Sequence, residues 1–190
     1  MKKALLIIVA MAFVSFSSYS QTYKPFQLYV GFGYAVPSGG GGVLIDVEPA
    51  YRISDQMAVG LRIESAAMAK KVLTTQATSS AVVSYTVNGR YYLGEGTGFR
   101  PYVGLGLGMY SLGNVGFDVN GGNTTGGVDV GSKFGFYPRI GFDAGHFNMN
   151  LDYNIVGKST LDDGNGGTAA EVKNTYIGIR LGFFLFGGKN

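Results

Sequence analysis

Along this chain apolar and polar residues trade places with a period of two. In 176–186 the odd positions read Ile177, Ile179, Leu181, Phe183 and Leu185, and the even ones include Gly178, Arg180 and Gly182. In 44–53 Asp46, Glu48 and Arg52 alternate with Ile45, Val47, Tyr51 and Ile53, and in 57–65 Arg62 and Glu64 alternate with Leu61 and Ile63. Successive strand side chains point to opposite faces, so each segment predicts a strand with one oily face and one of glycine and charge. A polar face washed by water favours Lys, Glu and Thr. Gly, Arg, Asp and Asn suggest instead a narrow enclosed interior. The oily face then needs a medium as apolar as itself, and lipid is the obvious candidate.

Eight segments carry the pattern: 26–36, 43–53, 57–66, 81–93, 99–111, 134–144, 147–156 and 175–186. Most fit the roughly 9–11 residues that a tilted strand needs to cross a bilayer. Ser54–Gln56, Gly94–Gly98 and Gly145–His146 read as tight turns. Ala67–Ser80, Leu112–Lys133 and Gly157–Asn174 read as long loops, with Pro37–Gly42 the shortest of that set. Short turns at one end and long loops at the other describe an all-β, eight-stranded antiparallel up-and-down transmembrane β-barrel, its long loops facing outward.

Parity then assigns side chains. Asp46, Glu48, Glu64, Asp143 and Asp152 share the interior with Arg52, Arg62, Arg90, Arg139 and Arg180, five of each sign. Ile45, Val47, Leu61, Ile63, Val83, Leu105, Leu107, Phe142, Leu151, Ile177, Ile179 and Leu181 face lipid. Every strand cation reads as Arg, while Lys24, Lys70, Lys71, Lys133, Lys158, Lys173 and Lys189 read as loop or terminal. The planar guanidinium holds carboxylates bidentately and is weakly hydrated, which suits a confined ion-pair network better than an ammonium does. Pro49 and Pro138 fall inside strands, each removing a ladder donor, so bulges or local bends are expected there. Tyr34, Tyr51, Tyr91, Phe99, Tyr110, Phe134, Phe147 and Phe183 sit towards strand ends, as interfacial girdles would. The chain has no Trp, which is unusual for such a belt.

Composition narrows the function. Lys2 and Lys3, the apolar run Ala4–Val14 and the serine-rich stretch Ser15–Ser20, with Ser18 and Ser20 at the small-residue cleavage positions, have the layout of a secretory leader, so the domains expected are a cleaved 1–20 and a barrel over 21–190. Loss of Lys2 and Lys3 takes the net charge from +3 to about +1, with no basic stripe for nucleic acid. The absence of Cys removes disulfides, thiolate catalysis and Cys-based metal sites. Gly is abundant at 32, and much of it is in register, as in Gly104, Gly106 and Gly108, where side chains from across a tight barrel need room.

Candidate chemistry is sparse. His146, the one histidine, lies in a tight turn with no Ser or acid brought to it by the sequence. Asp46 and Glu48 share a strand face, which could serve acid–base chemistry, although neighbouring arginines favour ion pairing. The run Asp162–Gly167 resembles a calcium loop but has Thr168 and Asn174 where an EF-hand needs Gly and Glu. Met109 and Ser111 occupy the third-glycine positions of dinucleotide fingerprints begun at Gly104 and Gly106, and no helix follows. Lys70–Lys71 beside Val72–Leu73 could touch anionic lipopolysaccharide or a partner. No cofactor, metal or catalytic residue is expected.

The stretches Asn88–Leu93, Arg100–Gly106, Pro138–Phe142, Leu151–Tyr153 and the closing strand to Phe186 make nearly all of 23–190 similar to the small outer-membrane β-barrels of Gram-negative bacteria, of the OmpA/OmpX type. Gln21 after the leader resembles usage in Bacteroidetes. The resemblance implies residence in the outer membrane among lipid and lipopolysaccharide, insertion by the outer-membrane assembly machinery, and a monomer. That machinery reads a closing strand ending in an aromatic, and here Gly187–Asn190 follow Phe186. The family has no shared catalytic residues, and its members serve envelope integrity, adhesion or solute passage. The expectation is a structural or interaction role carried by the outer loops, for a ligand the sequence does not name. The alternatives are a narrow channel or transporter for small solutes, an outer-membrane enzyme, and a soluble lipocalin-like barrel in the periplasm.

Overall fold

The structure, a computed structural model, describes residues 23–72, 76–94, 98–115, 131–162 and 168–187. Alternation makes strands of β1 (Phe26–Pro37), β2 (Gly40–Arg52), β3 (Met57–Val72), β4 (Gln76–Tyr92), β5 (Phe99–Val115), β6 (Gly131–Ala144), β7 (Phe147–Val156), β8 (Ser159–Asp162), β9 (Thr168–Val172) and β10 (Tyr176–Phe186). Eight of them close in the order β1-β10-β7-β6-β5-β4-β3-β2, each antiparallel to its neighbours, while β8 and β9 form a separate hairpin. The closing pair is β1 with β10, Val30 opposite Phe183 and Tyr34 opposite Ile179. Closure matters because a sheet edge in hydrocarbon would leave a row of backbone groups unpaired.

The parity of the sequence becomes inside and outside. Along β10, Tyr176, Gly178, Arg180, Gly182 and Phe184 are buried, while Ile177, Ile179, Phe183 and Leu185 are exposed. The predicted turns Ser54–Gln56 and Gly145–His146 are present, the first beginning one residue earlier at Ile53 and the second using Gly145 at φ 63°, while most of Gly94–Gly98 lies outside the described residues.

Three loop expectations are corrected. The expected loop Ala67–Ser80 is mostly ladder, with β3 and β4 paired out to Val72 opposite Gln76. Alternation continues there in muted form: Ala66, Met68 and Val82 are buried against exposed Ala67 and Ala69. The backbone ladder thus runs on past the strongly apolar band. Lys70 and Lys71 therefore belong to β3, and Lys133 to β6, so strand cations are not all arginine. Pro37–Gly42 is no loop either, since only Ser38 and Gly39 separate the strands, Gly39 at φ 78° as a tight hairpin requires. Finally, Gly157–Asn174 holds the β8–β9 hairpin. Residues 116–130, most of Asp162–Gly167 and the leader lie outside the described residues.

The prolines make no bulges. β2 pairs with β3 as Val47–Ile63 and again as Ala50–Gly60, the same register on both sides of Pro49. β6 pairs with β7 as Phe136–Ile155 and again as Arg139–Asp152 around Pro138. Each ring forgoes bonding to one neighbour only, and both prolines stay paired to the other, Leu28 for Pro49 and Leu105 for Pro138. The barrel's register shift lies instead in the closing seam, at Leu28/Tyr29 of β1.

The interior glycines make room for rings. A Cβ built on Gly106 would fall within the Tyr137 side chain that crosses from β6. Gly106→Val is therefore expected to cost about 1–3 kcal/mol through overpacking, read as a lower urea midpoint for the heat-modifiable gel shift of the folded barrel.

Candidate functional site: the charged lumen

All ten charges that parity sends inward are buried, none more than 4% exposed. At their centre stands Arg180 of β10. Its terminal nitrogens bond Glu64 of β3 and Asp152 of β7, and its Nε lies 3.6 Å from Asp46 of β2. Arg62 of β3 donates to the same Asp152 at 2.6 Å and to Asn154 at 3.1 Å. Its guanidinium lies 3.7 Å from the centroid of the Tyr137 ring, in cation–π range. Towards the short-turn end, Arg139 of β6 donates to Glu48 of β2 at 2.8 Å, and Arg90 of β4 lies 3.3 Å from the other Glu48 oxygen. Strands β3 and β7 are four places apart in either direction around the barrel, and so are β2 and β6. The Arg62–Asp152 and Arg139–Glu48 bonds therefore each cross the full diameter.

A third layer closes the short-turn mouth. Arg52 lies 4.0 Å from Asp143 and takes the Gln27 amide oxygen at 2.8 and 3.0 Å, the amide being oriented to suit that network. Tyr92 donates to Asp143 at 2.8 Å, and Asn148 donates to the other oxygen of Asp143 at 2.6 Å. Arg100 stacks on Tyr23 and Tyr92, its guanidinium 4.0 and 4.2 Å from their centroids, and donates to the Asp55 carbonyl. At the opposite, long-loop end the lumen turns apolar, where Ala35, Leu44, Ala66, Met68, Val82 and Val156 pack with Tyr110 and Tyr176.

Several of these residues escaped the sequence reading, although the same parity could have found them. Arg100 is a sixth buried guanidinium, so among the described residues the five-to-five balance is corrected to six against five. It shares a face with Tyr102, Gly104 and Gly106 of β5. Asn148, Asn150 and Asn154 lie on the Asp152 face of β7, and Tyr92, Tyr102, Tyr137 and Tyr176 are buried as well. Tyr110, expected in the outer girdle, is buried in the lumen and donates to Asn154 at 2.9 Å. Its even position in β5 outweighs its place near a strand end. Glu48 and Asp46 face arginines, as ion pairing requires. His146 sits on the outside of the short-turn rim and donates from Nδ1 to the Phe184 carbonyl at 2.8 Å.

Of the outward set, Ile45, Val47, Leu61, Ile63, Leu105, Leu107, Leu151, Ile177 and Ile179 are exposed, and Val83, Phe142 and Leu181 are half-buried between neighbours. At the short-turn end a run of outward rings links Phe99 to Phe142 (4.8 Å between centroids), Phe142 to Phe147 (6.2 Å) and Phe147 to Phe183 (5.8 Å). An apolar wall rimmed by aromatics around a charged interior has one natural setting, and the sequence comparison agrees with it. Residues 6–183 match the outer membrane protein beta-barrel domain. The chain belongs to that family.

The outer-membrane barrel so defined resembles solved structures at low identity. Neisserial surface protein A matches with TM-score 0.60 and 13% identity over 88% of this chain and 99% of that one. The outer membrane protein OprG of Pseudomonas aeruginosa matches with TM-score 0.53 and 15% identity over 90% and 98%. At such identity the likeness is one of fold. Among curated proteins no sequence match was found.

Proposed function

We propose that this barrel is a monomeric, membrane-spanning platform whose lumen is shut by arginine–carboxylate bonds, its role being carried by what the long-loop end presents outside the cell. The observation that supports this most directly is the pair of diametric bonds, Arg62–Asp152 and Arg139–Glu48, linked where Arg139 Nε comes within 3.8 Å of Asp152. A solute path would need a lane between opposite walls, and these bonds occupy it. An eight-stranded barrel has an interior only wide enough for side chains to fill, and the apolar cluster at the long-loop end adds a second closure without charge. The outward apolar set contacts lipid in this reading, the assembly machinery inserts the barrel, and lipopolysaccharide surrounds its outer rim.

Planar-bilayer recording tests the closure. Purified wild-type protein is expected to give no steady ohmic conductance in 1 M-scale salt, where screening within about 3 Å weakens exposed pairs but spares buried ones. Sustained unit conductance steps from every inserted molecule would defeat the closed-lumen reading and favour a channel.

A further inference from the structure

We infer that a recess at the short-turn rim of the closing seam binds the phosphate headgroup of a phospholipid from the periplasmic leaflet. The recess, about 530 Å³, is lined by Lys24, Pro25, Phe26, His146, Leu185, Phe186 and Gly187. Its shape comes from the seam's register shift. Tyr29 pairs with Phe184 and Leu28 with Phe186, so Leu185 is an extra residue on β10. An extra residue breaks alternation: Leu185 and Phe186 are both exposed, at 60% and 58%, although they are consecutive. Bulges at barrel rims re-aim side chains in this way. Two adjacent apolar side chains thus project outward at one point, and Phe26 joins them with its ring 6.3 Å from that of Phe186.

Above this apolar floor stand two nitrogen groups. His146 is held to β10 twice, its Nδ1 donating to the Phe184 carbonyl and its own carbonyl accepting from the Phe184 amide, each at 2.8 Å. Because a carbonyl only accepts, Nδ1 carries a proton, and Nε2, the ring atom left for a ligand, donates to a phosphate oxygen as the second N–H of the imidazolium. Lys24 is exposed at the same recess and supplies an ammonium. A cation and an imidazole over an aromatic–aliphatic floor fit a molecule with an anionic head and an oily tail. The family pattern puts short turns on the periplasmic side, where the leaflet is phospholipid, and the phenylalanine run marks its interface. The commitment is to phospholipid: free phosphate would have no use for Phe26, Leu185 and Phe186.

Native mass spectrometry of the barrel, folded in mild detergent, tests this with phosphatidylglycerol and, separately, diacylglycerol of the same chains. Wild type should retain one phosphatidylglycerol, and Lys24→Gln/His146→Ala should retain about tenfold less, as loss of charge-assisted bonds implies. Diacylglycerol should be held weakly by both. Each sample is first shown to be folded by its heat-modifiable gel shift. Lys24→Gln alone, which leaves the His146–Phe184 bonds intact, serves if the double variant does not fold. Equal phosphatidylglycerol retention by the variants, or diacylglycerol held as well as phosphatidylglycerol, would overturn the site. So would normal lipid retention combined with poor membrane insertion in cells, since the recess would then serve the assembly machinery.

Discussion

Arg180→Ala is expected to cost the folded barrel about 3–5 kcal/mol, the loss seen when one partner of a buried ion pair is removed and the other charge stays behind. Here the residue left behind is a group. Arg180 bonds Glu64 and Asp152 and faces Asp46, and all three carboxylates are at most 2% exposed. Arg62 still reaches Asp152 at 2.6 Å, but it lies 3.7 Å from Glu64 and has no bond to Asp46. The readout is the urea midpoint of the folded, fast-migrating gel species. Arg180→Lys should recover only part of the loss, because one ammonium cannot reproduce a fork aimed at β3 and β7 together. Removing the orphaned charge should recover more: Asp46 loses the guanidinium 3.6 Å away while Asp152 keeps Arg62, so Arg180→Ala with Asp46→Asn is expected to be more stable than Arg180→Ala alone. That non-additivity separates a network of charges from mere packing. A single-variant loss of only a few tenths of a kcal/mol would mean that water screens the lumen.

How much of this was legible from sequence follows from what a period of two can encode. Parity alone placed Arg180, Asp152 and Glu64 on one face, because each sits in a strand whose opposite face is strongly apolar. It failed where that contrast fades. Ala66, Ala67, Met68 and Ala69 differ little in hydropathy, so the upper ladder of β3 and β4 read as a loop although backbone pairing alone sustains it. Arg100 was missed because Pro101 and Tyr102 beside it blur the alternation of β5. Which carboxylate meets which arginine was beyond the sequence, since the bond between Arg62 and Asp152 spans 90 residues and exists only once closure sets β3 opposite β7. The Leu185 bulge left no mark either: Phe183, Phe184, Leu185 and Phe186 are uniformly apolar, so an inserted residue leaves the pattern unchanged.

Leu105→Arg is expected to destabilise the membrane-inserted barrel by about 2–4 kcal/mol, whereas Phe99→Arg should cost only about 0–1 kcal/mol. Both side chains point outward from β5, and their exposures are similar, 55% for Leu105 and 59% for Phe99. In water the two substitutions would be equally mild, since neither removes a buried contact. They differ in depth. Leu105 is midway along the exposed row that runs from Phe99 through Val103 and Leu107 to Met109, whereas Phe99 is its first residue and belongs to the ring of phenylalanines at the rim. An arginine at Leu105 must draw its head through half of the hydrocarbon to reach water, while one at Phe99 is already at the interface. Gly89 and Pro138 pair with Leu105 on the neighbouring strands, so no adjacent carboxylate softens the charge. Urea unfolding in lipid vesicles gives the two losses directly, and repeating it in detergent micelles should shrink the gap between them. Equal losses at the two positions would show that hydrocarbon does not cover β5 at Leu105, and the depth assigned to the whole outward face would have to be redrawn.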